Sequence, residues 1–292
     1  MTISDAVTAY LEYLRNVARR QPQTLTAYGY DLARFARFME DQGKTDLAAV
    51  DPATVEQWMA SMSDLSAATV RRALNSLSGL FKWAVRFGHA TSNPLDHVQR
   101  PKTRRRIRKA PRPEEVLAML DATRGSTERA TFLAAATSGL RRAELLTLTW
   151  PDVDLDTHRL RIRGKGDKQR EVLIFDDLLP LLYALYAESG LPTTGPVFRG
   201  RQGGPLQVST LTRWFAHWLK VAGLSAAGYT LHSLRRFAAK HWLDSGLNVR
   251  QVQMLLGHEN LQTTILYLNY DLDEIQRAAA TVDFQLRPLA TA

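Results

Sequence analysis

Apolar positions from residue 1 to 99 recur at helical spacing. Ala6, Tyr10, Leu14 and Val17 share one face of a helix that Ser4 can cap and that runs to about Arg19. Leu25, Tyr28, Leu32, Phe35 and Met39 form a second stripe, stopped by Gly43. Asp51 followed by Pro52 is a cap with proline at the first helical position. Ser66 opens another helix, with Val70, Leu74, Leu77, Phe81 and Val85 on one face and an end near Gly88. Four helices with polar outer faces predict a compact bundle without visible chemistry.

The pattern is mixed from Pro113 onward. "PEEVLAMLDAT" and "ERATFLAAATSGLRRAELLTL" read as helical. In "HRLRIRGKGDKQREVLIF" the apolar residues alternate, Leu160 and Ile162 and then Val172 and Ile174, around a Gly/Lys-rich turn, which predicts a hairpin. Helices resume from about Val208. No repeat or low-complexity segment interrupts this order. The expected fold is mainly α with a small β-sheet.

At 292 residues, 45% of them hydrophobic and 9% aromatic, the chain can bury two cores. It has no run near the ~20 apolar residues of a membrane span, and "MTISDAVTAY" is not a secretory signal. The absence of cysteine excludes disulfides, thiolate metal sites and cysteine nucleophiles, and suits a cytoplasmic location.

Charge divides the chain further. Residues 1–99 are balanced and 113–292 nearly so, whereas "RPKTRRRIRKAPR", residues 100–112, holds eight basic residues and no acid. Prolines 101, 111 and 113 discourage helix there. The expected organisation is therefore a helical domain over 1–99, a basic linker over 100–112 and a second domain with its tail over 113–292. Such a strap, with Arg104, Arg105, Arg106, Arg108 and Lys109 at its centre, fits a polyanion through release of phosphate counterions. A plain solvated linker is the competing reading.

The search for chemistry begins with exclusions. "RGKGDK" lacks the spacing of a Walker loop, His232 and His241 make no HExxH zinc site, and no acidic cluster suited to magnesium stands out. No metal and no cofactor is expected. Side-chain cations would have to neutralise any phosphoryl transition state. Arg141 stands at a helix entry with Glu144 three residues on, and Lys165 at the hairpin tip. His232 and Arg235 share a helical face, and His258 follows Gly257. Each has an ordinary structural role when taken singly: a surface pair, a solvated turn, a helix cap, a helix C-terminus. In "LLGHENLQTTILYLNY" the local pattern leaves open whether Tyr267, Tyr270 or neither is a nucleophile.

In order, "GLRRAELLTL", "GKGDKQREV", "HSLRR", "LLGH" and a tyrosine nine residues after that histidine resemble the tyrosine recombinase, or lambda-integrase, family over nearly the whole chain. The resemblance implies a SAM-like core-binding bundle, to which "TLTAYGYDLARF" is similar, and an α+β catalytic domain over 113–292. It implies that Arg141 and Arg235 are the two catalytic arginines, Lys165 the hairpin lysine, His232 and His258 the two histidines, and Tyr267, in T-T-x-x-Y, the nucleophile. Tyr270 does not match. Arg236 stands where close relatives often have histidine.

Physical chemistry supports these roles separately. A phenol of pKa ~10 needs cations and a base to attack at neutral pH. Two arginines can grip non-bridging phosphate oxygens, and a lysine can protonate the leaving 5′ oxygen. The tyrosyl ester conserves the bond energy, so strand exchange needs neither ATP nor metal. At ~100° per residue, nine residues turn about 900°, which puts His258 and Tyr267 on opposite faces of one continuous helix. Gly257 as a stop and Asn260 as a new cap supply the required break.

Within the family the chain resembles Xer-like recombinases, since it begins directly with the core-binding domain. That implies double-stranded DNA with paired half-sites, resolution of chromosome or plasmid dimers, and a second recombinase or a DNA translocase as possible partners. An amphipathic tail stretch, Leu272, Ile275, Ala279 and Val282, would dock on a neighbouring subunit in a homo- or hetero-tetramer, or else pack on its own domain. A phage or mobile-element integrase, and a DNA-binding protein that no longer cuts, are the alternatives.

Overall fold

The computed structural model describes residues 1–102, 110–163 and 169–257, and the chain divides into two compact units, Met1–Arg105 and Arg106–Ala292. The first unit holds α1 (Ile3–Asn16), α2 (Pro22–Asp41), α3 (Pro52–Ala60) and α4 (Ala67–Arg86), with 3₁₀ turns at Leu47–Ala49 and Pro94–His97. Asp51 caps α3 by accepting from the Thr54 N–H at 2.7 Å, and Ser66 caps α4 by accepting from the Thr69 N–H at 3.2 Å. The start of α1 differs from expectation. Thr2, not Ser4, is the cap and accepts from the Asp5 N–H at 3.1 Å. Ile3 is already in the core, so the helix must begin before Ser4. The helix ends at Asn16, which leaves Val17 68% exposed rather than on the buried face. Leu32, Phe35, Met39, Trp58, Leu74, Leu77 and Phe81 fill the core, where Phe35 meets Trp58 edge-on at 4.9 Å. Buried Asp31 on α2 accepts from Arg72 Nη2 at 2.8 Å and from Ser76 Oγ at 3.0 Å, tying α2 to α4.

In the second unit α5 (Pro113–Asp121), α6 (Gly125–Thr137) and α7 (Arg142–Thr147) precede the sheet, made of β1 (Val153–Asp154), β2 (Arg159–Arg163) and β3 (Gln169–Leu173). Then come α8 (Leu179–Glu188), α9 (Val208–Val221), α10 (Leu231–Asp244) and α11 (Val249–Leu256). The sheet is antiparallel in the order β1-β2-β3, with Leu160 opposite Val172 and Ile162 opposite Arg170. Small residues and two larger apolar ones, "FLAAA", let α6 run through the middle of the core against α8 and α10.

The chain is mainly α with one small sheet, as its hydrophobic pattern predicts. The helical stretch from Glu128 to Leu148 is two helices, α6 and α7, parted where Gly139 takes φ 60°, with α7 entered at Arg141 as expected. No helix among the described residues is long and apolar enough to cross a membrane.

Candidate active site

The break between α6 and α7 organises the site. At Gly139 a side chain would meet the Trp242 ring at 3.0 Å and a Leu256 methyl at 3.3 Å, so α10 and α11 approach the turn closely. Arg141 is the N-cap of α7. Its backbone N–H donates to Glu144 Oε2 at 2.7 Å and its Nη1 donates to Glu144 Oε1 at 2.8 Å. Glu144 thereby satisfies an orphan donor of the helix start and holds a guanidinium at the same time.

Arg235 comes to the same place from α10. Its Nη1 donates to the Gly139 carbonyl at 2.6 Å and its Nη2 to the Leu256 carbonyl at 2.5 Å, with Glu144 Oε2 at 3.9 Å from Nη1. His232 stands one turn earlier on α10 and is exposed. The end of α11 completes the arrangement. Gly257 closes the helix in the left-handed region at φ 62°, the stop that the sequence predicts. The three last carbonyls, of Leu255, Leu256 and Gly257, accept from Arg170 Nε at 2.9 Å, Arg235 Nη2 and Arg141 Nη2 at 2.9 Å respectively. Orphan acceptors at the negative end of a helix are thus met by cations.

Arg170 was not among the residues picked out by sequence. Its Nη1 and Nη2 each donate to one oxygen of Glu144 at 2.8 Å. A signal for it existed: strand alternation sets Arg170 on the inward face with Val172, where a charge needs a partner.

Three guanidiniums surround one carboxylate, a surplus of positive charge suited to a phosphate gaining charge in its transition state. Arg141 is 39% exposed and faces solvent, whereas Arg235 is 1% exposed. Burial opposes ionisation of Glu144, but its hydrogen bonds and charge contact with Arg170, then those with Arg141, outweigh burial and hold the carboxyl at about 2 instead of 4.5. A folded-state value below the unfolded one contributes stability that is complete above about 4.5 and is lost as pH falls toward about 2. Wild type should therefore lose about 3 kcal/mol more than Glu144→Gln across that window in urea unfolding. Equal slopes would contradict the ion-paired state of Glu144.

Lys165, His258 and Tyr267 lie outside the described residues, as do Tyr270, Asn260, the tail stretch, and Arg104, Arg105, Arg106, Arg108 and Lys109 of the basic linker. The structure therefore brings together Arg141, Glu144 and Arg235, with His232 on the helix of Arg235.

A second cationic surface lies on the same unit. A groove of about 700 Å³ is lined by Arg124, Arg199, Arg201, Arg213, Trp214 and His217, with Thr210, Arg213, Trp214 and His217 on successive turns of α9. Its one lining carboxylate, Glu128, is buried and accepts from Trp218 Nε1 at 2.5 Å, which leaves four arginines facing one acid.

Comparison with known proteins agrees with this geometry. Residues 110–273 match the Phage integrase family, and residues 7–88 match the Phage integrase, N-terminal SAM-like domain. The chain is similar to Tyrosine recombinase XerC of Xylella fastidiosa (strain 9a5c), with 30% identity over 94% of this chain and 95% of that protein. It is also similar to Tyrosine recombinase XerC of Halalkalibacterium halodurans, with 32% identity over 92% of this chain and 94% of that one. Among solved structures, a lambda integrase tetramer bound to a Holliday junction superposes with a TM-score of 0.77 at 21% identity, covering 94% of this chain and 80% of that one. XerH bound to palindromic difH in a post-cleavage complex gives 0.72 at 20% identity, covering 88% and 79%.

Proposed function

Because the chain belongs to the phage integrase family of tyrosine recombinases, enzymes that cleave and rejoin DNA, we propose that it is a Xer-like site-specific recombinase that resolves chromosome or plasmid dimers. The observation that carries this reading is similarity to XerC proteins over more than nine-tenths of the chain. Paired half-sites on double-stranded DNA, a homo- or hetero-tetramer joined through the tail, a second recombinase or translocase as partner, and action in the cytoplasm belong to the same proposal. So do the domain limits 1–99, 100–112 and 113–292.

In the proposed mechanism, Arg141 and Arg235 hold the non-bridging oxygens of the scissile phosphate, and Glu144 orients Arg141. His232 takes the phenolic proton of Tyr267 as its oxygen attacks phosphorus. The P–O5′ bond breaks, Lys165 gives its proton to the leaving 5′ oxygen, and His258 donates to the phosphate. A 3′-phosphotyrosyl ester remains. A 5′ hydroxyl from another strand then attacks that ester and gives its proton back to Lys165, while His232 returns a proton to the departing Tyr267 oxygen.

The α9 groove and residues 104–109 would supply phosphate contacts away from the reacting centre. Arg213→Ala should weaken binding evenly across DNA sequences and lower the log–log salt slope of affinity by about one, measured by titration at several salt concentrations. An unchanged slope would remove the groove from the interface.

The biological role has its own test. In the host lacking this protein, multicopy plasmid should accumulate as dimers and return to monomers when the chain is restored. A wild-type share of monomers would contradict dimer resolution. It would favour integration of a mobile element.

A further inference from the structure

Arg170 has no part in the reaction steps above, yet it bonds both oxygens of Glu144. It stands on β3 and is 12% exposed. Its Nη1 and Nη2 meet both oxygens of Glu144 at 2.8 Å, while its Nε donates to the Leu255 carbonyl at 2.9 Å. Glu144 is shared: Oε1 also receives Arg141 Nη1 at 2.8 Å and Oε2 the Arg141 backbone N–H at 2.7 Å. A carboxylate's terminal torsion is broad and soft. Held by Arg141 alone, Glu144 could turn and carry that guanidinium with it. A planar fork on its rear face removes the freedom. The fork itself is packed in place, since a Cβ on Gly257 would come within 2.6 Å of Arg170 Cδ.

We infer that Arg170 is a positioning residue for the scissile phosphate: it locks Glu144 and thereby aims Arg141, without touching DNA itself. The inference rests on the reading of Arg141 as a phosphate-gripping residue. Lysine at 170 would keep the charge but not the fork, because an ammonium cannot make two parallel bonds and a third from a fixed Nε. The role concerns aim rather than affinity, so its effect belongs to the rate of cleavage at saturating DNA.

The test uses the full chain as wild type, Arg170→Lys, Arg170→Met and Arg141→Lys, on a nicked suicide substrate with either an ordinary scissile phosphodiester or a methylphosphonate. The methylphosphonate lacks one ionised oxygen and so needs less of an arginine grip. Arg170→Lys should unfold cooperatively, bind DNA within about twofold of wild type, and form covalent complex ~100-fold more slowly on the phosphodiester. On the methylphosphonate its deficit, like that of Arg141→Lys, should shrink to less than about fivefold, since the missing charge is what Arg141 answers. A wild-type rate for Arg170→Lys would overturn the inference. So would a deficit equal on both substrates, or loss of cooperative unfolding in both position-170 variants, each of which would make Arg170 a support of the fold. Absence of covalent complex from wild type on confirmed, bound sites would instead overturn the proposed function.

Discussion

Arg235→Lys is expected to slow covalent-complex formation by about 10²–10³-fold at saturating DNA while leaving affinity within a few-fold. Arg235→Ala should in addition cost about 3–5 kcal/mol of folding stability. Both follow from the burial of one guanidinium, 1% exposed, that bonds the Gly139 and Leu256 carbonyls and lies 3.9 Å from Glu144. Truncation to alanine would leave two buried acceptors without their donor and withdraw a positive charge from beside a buried carboxylate. Lysine keeps the charge but cannot span Gly139 and Leu256 in one plane, so the α6–α7 turn and the end of α11 lose their common tie. Stopped single-turnover assays on gels give the rate, and urea unfolding gives the stability. A lysine variant that cleaves at the wild-type rate would reduce Arg235 to a structural prop.

Part of this geometry is legible in the sequence. Spacing places His232 and Arg235 on one face of a helix, and Gly257 has the stop conformation expected of it. The capping relation of Arg141 and Glu144 is local, three residues apart, and so can be read from the chain. The link from Arg170 to Glu144 spans strand and helix, and a local window cannot show which carboxylate answers an inward arginine. The same limit applies to Gly139, whose close approach to Trp242 and Leu256 no local window shows.

In the fold, long amphipathic elements such as α2 and α4 were legible because one face repeats over many turns. At two residues β1 is too short to show alternation, and α8, "LPLLYALYAE", carries apolar residues on most of its faces. The misplacement of the first cap by two residues came from treating Ile3 as outside the helix, although its burial belongs to the core.

The largest effect is expected at Tyr267. In the proposed mechanism its hydroxyl forms the ester, so Tyr267→Phe should give no covalent complex while binding DNA like wild type. The position is the one the family resemblance implies, since T-T-x-x-Y falls on Tyr267. Nine residues separate it from His258, about two and a half turns, so the two can share a site only if the helix breaks between them. The left-handed Gly257 ends α11 one residue before that interval, and the new cap expected at Asn260 lies outside the described residues. Tyr270, three residues later, lacks the T-T-x-x-Y context and should be dispensable for the ester.

The most direct measurement is a denaturing gel of a nicked suicide substrate bearing a recombination site, with wild type, Tyr267→Phe and Tyr270→Phe run side by side. The account predicts a protein–DNA band from wild type and Tyr270→Phe and none from Tyr267→Phe. A band that survives in Tyr267→Phe and vanishes in Tyr270→Phe would contradict the assignment of the nucleophile.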